Sequence, residues 1–389
     1  MSNASRRRRN FQRDQKKTIT TRVGEVCLSS AQYHVCQREQ SWYPLEERLG
    51  IVDSFSPGLK RSCAAASVAE PFEGGMQLVK DILGWKPMSA RSAEEQAEGY
   101  GEQLKKRRDQ HVEEVMKRMG PDTKQRGKVL YVTCDGTTAH LKEEGWKEAK
   151  VGAVYELDAE GEATRISYTG GFEEAEAFGK LLYAEAYECG VEKAETVVIL
   201  GDGAAWIWNL RRDHFPGAIE ILDYAHASEY VHDLSKELYG EGGAEAKSWA
   251  EEKESWLYEG KIQKLIHALK QTKAKGKVAR ETLANTITYF ENHQHQMKYD
   301  EYRTKGYHIG SGIAEAACKQ LVQQRLKQSG MRWNRQGAEA MLQLKILRTN
   351  REWEMLREVQ LQEAAWSNCP LDLPWPFQCS RNPACQEID

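Results

Sequence analysis

Between Lys128 and Tyr224 the chain alternates in an order that few folds accommodate. "KVLYVTCDG" (128–136), "KEAKVGAVYEL" (147–157) and "ATRISYTGG" (163–171) are three closely spaced strands, the first a nearly continuous apolar run and the others more alternating. A helix follows over Glu173 to Cys189, then a strand from Thr196 to Leu200, a short helix from Ala204, and a fifth strand in "GAIEILDY" (217–224). Three strands, helix, strand, helix, strand make a mixed α/β layer.

That order is the order of the ribonuclease H-like fold. The expected fold class is therefore α/β: a ribonuclease H-like mixed sheet over 126–224, interrupted by an all-helical insertion over 225–305 and completed by closing helices over 306–360. The insertion carries Trp249, Trp256, Leu257, Ile262, Leu265, Ile266 and Leu269 at helical spacing, with a basic turn over Lys270 to Lys277. After it, Gly310-Ser311-Gly312 opens a long helix.

Before the core, residues 1–25 read as a basic, flexible arm and 26–125 as a mainly helical N-terminal region for DNA binding. In that region a helix over Met76 to Leu83, a Gly-Trp-Lys-Pro break and a second helix opened by Ser89 form either a DNA-binding helix-turn-helix or a plain helical hairpin. Pro370, Pro374, Pro376 and Pro383 mark 361–389 as an irregular tail.

Three acids stand where chemistry would want them. Asp135 ends the first strand in "CDGT", Asp202 ends the fourth in "GDGA", and Glu315 lies in the first turn of the helix after the insertion. In a ribonuclease H-like sheet the first and fourth strands are neighbours, so both aspartates emerge at one edge, and a glutamate from the closing helix faces them. Converging carboxylates repel unless divalent cations lie between them, and an oxygen-only set suits Mg²⁺ or Mn²⁺. Two such ions about 3.5 to 4 Å apart serve phosphoryl transfer. Each acid also has an ordinary reading: a turn for the two Asp-Gly steps, and a favourable helix N-terminus for Glu315.

The formal charge of -3 conceals an uneven distribution. Residues 1–22 carry eight Lys and Arg against one acid, and residues 316–351 carry eight against Glu339 alone. Such stretches suit a polyanion. Lys319, Arg325, Lys327, Arg332 and Arg335 are the expected DNA-backbone contacts, with Arg332 and Trp333 nearest the DNA. Nine scattered cysteines without Cys-x-x-Cys spacing argue against a secreted disulfide framework. Apolar runs of about five residues fall far below the roughly 20 that span a bilayer, so a cytoplasmic, nucleoid-associated protein without membrane contact is expected.

"CDGT", "GDGAAWIW…FPGAIEILDYAHASEYV" and "GSGIAEAACKQLVQQRLKQSGMRW" resemble the matching blocks of bacterial insertion-sequence DDE transposases of the ISKra group, with a more distant likeness to Mutator-type transposases. The resemblance covers about residues 120–350. It implies that Asp135 and Asp202 are catalytic aspartates and Glu315 the catalytic glutamate, all three holding Mg²⁺ or Mn²⁺. It also implies an accessory Asp-x-x-His element in Asp223 and His226; the ordinary reading of His226 is a histidine packed or capping at a strand end. Trp206 and Trp208 match aromatics of the motif and read as core packing rather than base-stacking platforms.

The implied activity is binding of terminal inverted repeats, metal-dependent cleavage, and strand transfer into target DNA by a homo-oligomer on double-stranded DNA. One departure is that members often carry a Cys-rich, zinc-binding N-terminal element. Here Cys27 and Cys36 lack matching partners, Glu39 standing three after Cys36, so no structural zinc is expected. Rival readings are a ribonuclease H-like nuclease without strand transfer and a decayed or domesticated transposase that only binds DNA. A thiol hydrolase on Cys134 and His140 carries little weight, because strand alternation turns Cys134 away from Asp135.

Overall fold

The computed structural model describes residues 9–35, 40–118 and 125–368. The chain divides into two units, one of residues 1–65, 76–89 and 354–389, the other of residues 66–75 and 90–353. Among the described residues no helix is long and apolar enough to cross a membrane.

In the first unit, β1 (Arg9–Thr21) pairs antiparallel with β2 (Gly24–Val35), which pairs with the short β3 (Gln40–Trp42). The basic N-terminal segment is therefore a strand from residue 9 onward, which corrects the expectation of a flexible arm. A β-branched run, Thr18 to Thr21, favours extension, and Gly24 at φ 110° lets the chain reverse. Part of the basic charge is used inside the protein: Lys17 Nζ lies 2.7 Å from the buried Glu46 carboxylate in α1 (Pro44–Leu49). The helices α2 (Pro57–Ala69) and α3 (Phe72–Leu83) follow, the second unit taking residues 66–75 of this stretch. A further helix, Met355–Asn368, occupies the first part of the segment expected to be an irregular tail.

The helix expected from Ser89 is α4 (Ala90–Val115), and it belongs to the second unit. There it runs along a later helix, Arg335–Thr349, so closely that a Cβ on Gly101 would meet the backbone of Ala340. Ala93, Ala97, Tyr100 and Leu104 are buried on it. The boundary expected near 125 thus falls after residue 89, and α4 is a support of the sheet-bearing unit.

The sheet contains β4 (Gln125–Leu141), β5 (Gly145–Leu157), β6 (Ala163–Gly171), β7 (Ala194–Gly201) and β8 (Ile219–Leu222) in the order β6-β5-β4-β7-β8. Short turns make β4, β5 and β6 antiparallel. The helices α5 (Ala175–Glu188) and α6 (Ala205–His214) carry the chain to β7 and β8, which run parallel to β4. Strand alternation sorts the apolar side chains onto two faces. Leu130, Val132, Cys134 and Ile199 pack with Phe178, Leu182, Ile207 and Leu210 of α5 and α6. Tyr131, Val198, Leu200 and Ile221 pack with Val231, Leu257, Leu265, Phe290 and Tyr299 from five helices, α7 (Tyr224–Tyr239), α8 (Ala244–Tyr258), α9 (Ile262–Gln271), α10 (Lys277–His293) and α11 (Tyr299–Thr304).

Those five helices are the insertion expected over 225–305, and its two ends meet. Tyr224 N–H donates to the Ile309 carbonyl at 2.8 Å. The chain then enters α12 (Gly312–Ala317), which passes through a π-helical turn, Cys318–Gln323, into α13 (Gln324–Leu326). Arg335–Thr349 is α14.

Candidate active site

β4 pairs with β7 only as far as Thr133 and Leu200. Beyond that point β4 is paired with β5 alone, and past Gly136 and Lys150, where β6 also ends, the two strands continue as a ribbon to the turn at Leu141 and Gly145. Asp135 lies where β7 leaves the ribbon, and Asp202 follows β7 by one residue, so both acids emerge at the same end of neighbouring parallel strands.

Each aspartate is held by its own backbone. Asp135 Oδ1 accepts the Gly136 N–H at 2.6 Å, and Asp202 Oδ1 accepts the Ala204 N–H at 2.9 Å. The second oxygen of Asp135 accepts the Cys318 thiol at 3.3 Å, from the π-helical turn. Burial pushes the Asp135 carboxyl above the usual aspartate range; the Gly136 and Cys318 hydrogen bonds oppose this, while the charges of Asp202 and Glu148 add to it. The Asp202 charge is thus felt at Asp135.

Glu315 lies exposed one helical turn before Cys318, on the helix that packs against β4 and β5. Among the described residues, no three His, Cys, Asp or Glu side chains form a group able to hold a metal ion. The structure brings Asp135 and Asp202 together and carries the Glu315 helix to them without closing a three-carboxylate cluster. The donors present are hard oxygens, and the surplus negative charge at Asp135 is of the kind a divalent cation relieves, so the aspartate pair suits such an ion.

Asp223 has a different task. It is 1% exposed; one oxygen caps α7 through the His226 N–H at 3.0 Å, while the other accepts the Ser311 N–H at 2.6 Å and the Ser311 hydroxyl. It thereby fastens the start of the Glu315 helix to the end of β8. His226 packs edge-on to Tyr230 and Tyr289 and lies 3.3 Å from the Glu229 carboxylate. The Tyr289 hydroxyl donates to the Asp202 carbonyl at 3.0 Å, tying the insertion to the second aspartate.

Sequence reasoning passed over several residues. Lys150, opposite Gly136 on β5, is 6% exposed, pairs with Glu148 at 2.7 Å and stands 5.6 Å from the Trp206 ring centroid. A buried lysine beside a strand-end aspartate was signalled by the polar 148 and 150 positions leading into an apolar strand. Cys318 and Tyr289 had no such signal. Trp206 and Trp208 pack against the sheet core, and Trp206 meets Phe178 edge-on. Cys134 is buried among the α5 and α6 side chains, which together with Asp135 and Asp202 hold its thiol far toward the protonated form.

The basic segment divides sharply. Lys319, Lys327 and Arg332 are exposed. Arg325 and Trp333 are not, which corrects their assignment as DNA contacts. Arg325 is 1% exposed, with its guanidinium carbon 4.9 Å from the Phe72 ring and 4.8 Å from the Trp333 ring, and it donates to the Ser67 carbonyl at 2.7 Å. Burial lowers its pKa to about 10. Trp333, 7% exposed, bonds through its indole N–H to the Leu326 carbonyl and bridges Leu141. Arg335 is engaged with Glu144, Glu339 and the Phe172 carbonyl. Cys27 lies on β2, while Cys36, Glu39 and the arginines before residue 9 fall outside the described residues.

Comparison with curated proteins finds no match. One family model matches residues 1–365, nearly the whole chain. The chain therefore belongs to the family described as Uncharacterised protein family (UPF0236).

Proposed function

We propose that the protein is a DDE-type DNA transposase that binds the terminal inverted repeats of its own insertion sequence, cleaves DNA in a Mg²⁺-dependent reaction and transfers the freed strand to target DNA. The observation that carries this reading is the pair Asp135 and Asp202 at one end of adjacent parallel strands. The strand order and directions support a ribonuclease H-like core. The family alone assigns no activity.

Asp135 and Asp202 would hold a magnesium or manganese ion, with Glu315 brought in as a third ligand, and such an ion would supply Lewis-acid activation of the attacking and leaving oxygens. The chain's residues prepare that chemistry. Gly136, Ala204 and Cys318 fix the aspartate oxygens, and Asp223 holds the start of the Glu315 helix. Lys319, Lys327 and Arg332 offer cations to phosphates, so affinity falls steeply with salt.

The test is incubation of the protein with a labelled fragment carrying the inverted repeat beside its gene, with Mg²⁺ or with EDTA, next to Asp202→Asn. Metal-dependent cleavage followed by joining to target DNA, both absent in the variant, is the expected result. Cleavage without joining identifies a nuclease. Binding without cleavage in either metal identifies a DNA-binding protein that has lost its chemistry.

A further inference from the structure

The ribbon that carries Asp135 ends in an aromatic side chain with no core to join. Trp146 is 62% exposed, the most exposed tryptophan of the described residues, and it lies opposite His140 in the ribbon register. The two rings meet edge-on at 5.4 Å. Lys327 Nζ stands 5.5 Å from the Trp146 ring centroid and 3.4 Å from the Thr138 hydroxyl. One helical turn earlier, Gln323 reaches Thr137. The helix that brings Cys318 to Asp135 thus follows β4 toward the ribbon tip.

The tip is braced. Trp333 N–H donates to the His140 carbonyl and Lys142 N–H to the Trp333 carbonyl at 2.8 Å, so the buried tryptophan holds the exposed one in place. Its charge is also one-sided. Lys142, Lys327 and Arg332 have no carboxylate partner among the described residues, whereas Glu144 is paired with Arg335 and Glu148 with Lys150. Lys147 is paired with Glu174, leaving Glu143 as the unpaired acid of the turn. An exposed indole set among uncompensated cations fits a nucleic-acid strand, with phosphates on the cations and a base on the ring.

We propose that Trp146 is a nucleobase-stacking residue, and that the ribbon from Asp135 to Trp146 is a track for one DNA strand leaving the active site. The five steps from Asp135 to His140 span about 16 Å at ~3.3 Å per residue. The occupant is a single strand or an end whose base is unstacked, because a base stacked between its neighbours within a duplex offers no free face to the ring. This inference rests on the transposase reading for the identity of the partner.

The experiment measures binding of a fluorescent single-stranded oligonucleotide and of a blunt duplex to the full chain, across a salt series, for wild type, Trp146→Ala, Trp146→Phe and Lys327→Gln. Trp146→Ala is expected to weaken single-strand binding about fivefold or more, Trp146→Phe to restore most of it, and Lys327→Gln to lower the salt slope by about one. Duplex binding is expected to change about twofold or less. Equal single-strand affinity for Trp146→Ala and wild type overturns the proposal, as does equal loss with alanine and phenylalanine. Metal-dependent cleavage is measured on the same DNA: intact cleavage with no Trp146 effect sinks the stacking residue alone. A Trp146 effect without cleavage leaves the track standing and sinks the transposase reading.

Discussion

Two cations two residues apart in the sequence each meet an aromatic ring and do opposite things. Arg325 against Trp333 and Lys327 against Trp146 have comparable spacings, 4.8 and 5.5 Å. The first is sealed, with Phe72 as a second ring beside the guanidinium and edge-on to Trp333, and the second faces solvent. Cations from one basic run thus serve as internal mortar and as a binding surface, and only burial tells them apart. Arginine suits the sealed position because its planar group lies well against aromatic rings and is weakly hydrated; the compact lysine ammonium stays at the surface.

That contrast can be broken by stability measurements in EDTA, read as urea unfolding midpoints. Trp333→Ala should lose about 4 kcal/mol, since it opens a cavity and releases the ribbon tip. Arg325→Ala should lose about 3 kcal/mol, whereas Arg325→Met should stay within about 1 kcal/mol of wild type, because filling the slot matters more than a charge whose Nη2 has no partner among the described residues. Asp135→Asn should gain about 1 kcal/mol, as neutralising a buried carboxylate at a functional site commonly does. Trp146→Ala should change stability by less than about 0.5 kcal/mol. A Trp146→Ala loss as large as that of Trp333→Ala would make both pairs structural and remove the contrast.

The Asp135 prediction carries a pH signature. Its carboxyl is raised in the folded protein, so the fold binds this proton more tightly than the unfolded chain does. The associated stability is fully present below the ordinary aspartate value near ~4 and is lost as pH rises through the raised folded value. Wild type and Asp135→Asn should therefore converge in stability in acid and separate toward neutral pH, with the variant the more stable.

The sheet-bearing core was legible because its strands are apolar and separated by turns or helices that fix their direction. Asp135 and Asp202 were legible for the same reason, as the first polar residues after buried runs. The β1–β2 hairpin was not. β1 is mostly polar, burying Ile19, and β2, despite Val26, Leu28 and Tyr33, buries chiefly Ser30 and Gln32, so no continuous apolar stripe marks the hairpin. The burial of Arg325 was equally hidden, because the rings that enclose it come from Phe72 and Trp333, and a charge-rich segment gives no sign of which cation turns inward. Helix α4 was found as a helix but assigned to the wrong neighbour: its sequence shows one small-residue face, Ala93, Ala97 and Gly101, without showing what lies against it.

The clasp between Asp223 and Ser311 has a thermodynamic meaning for the whole insertion. It joins residues 88 apart in sequence, and closing a chain of that length costs about 4 kcal/mol in entropy beyond a fixed constant. That cost grows only with the logarithm of length, so the size of the insertion adds little to it. The insertion is thus an excursion on a closed neck, while its helices also cover one face of the sheet. The register of the Glu315 helix is set at the neck, independently of what the excursion is used for.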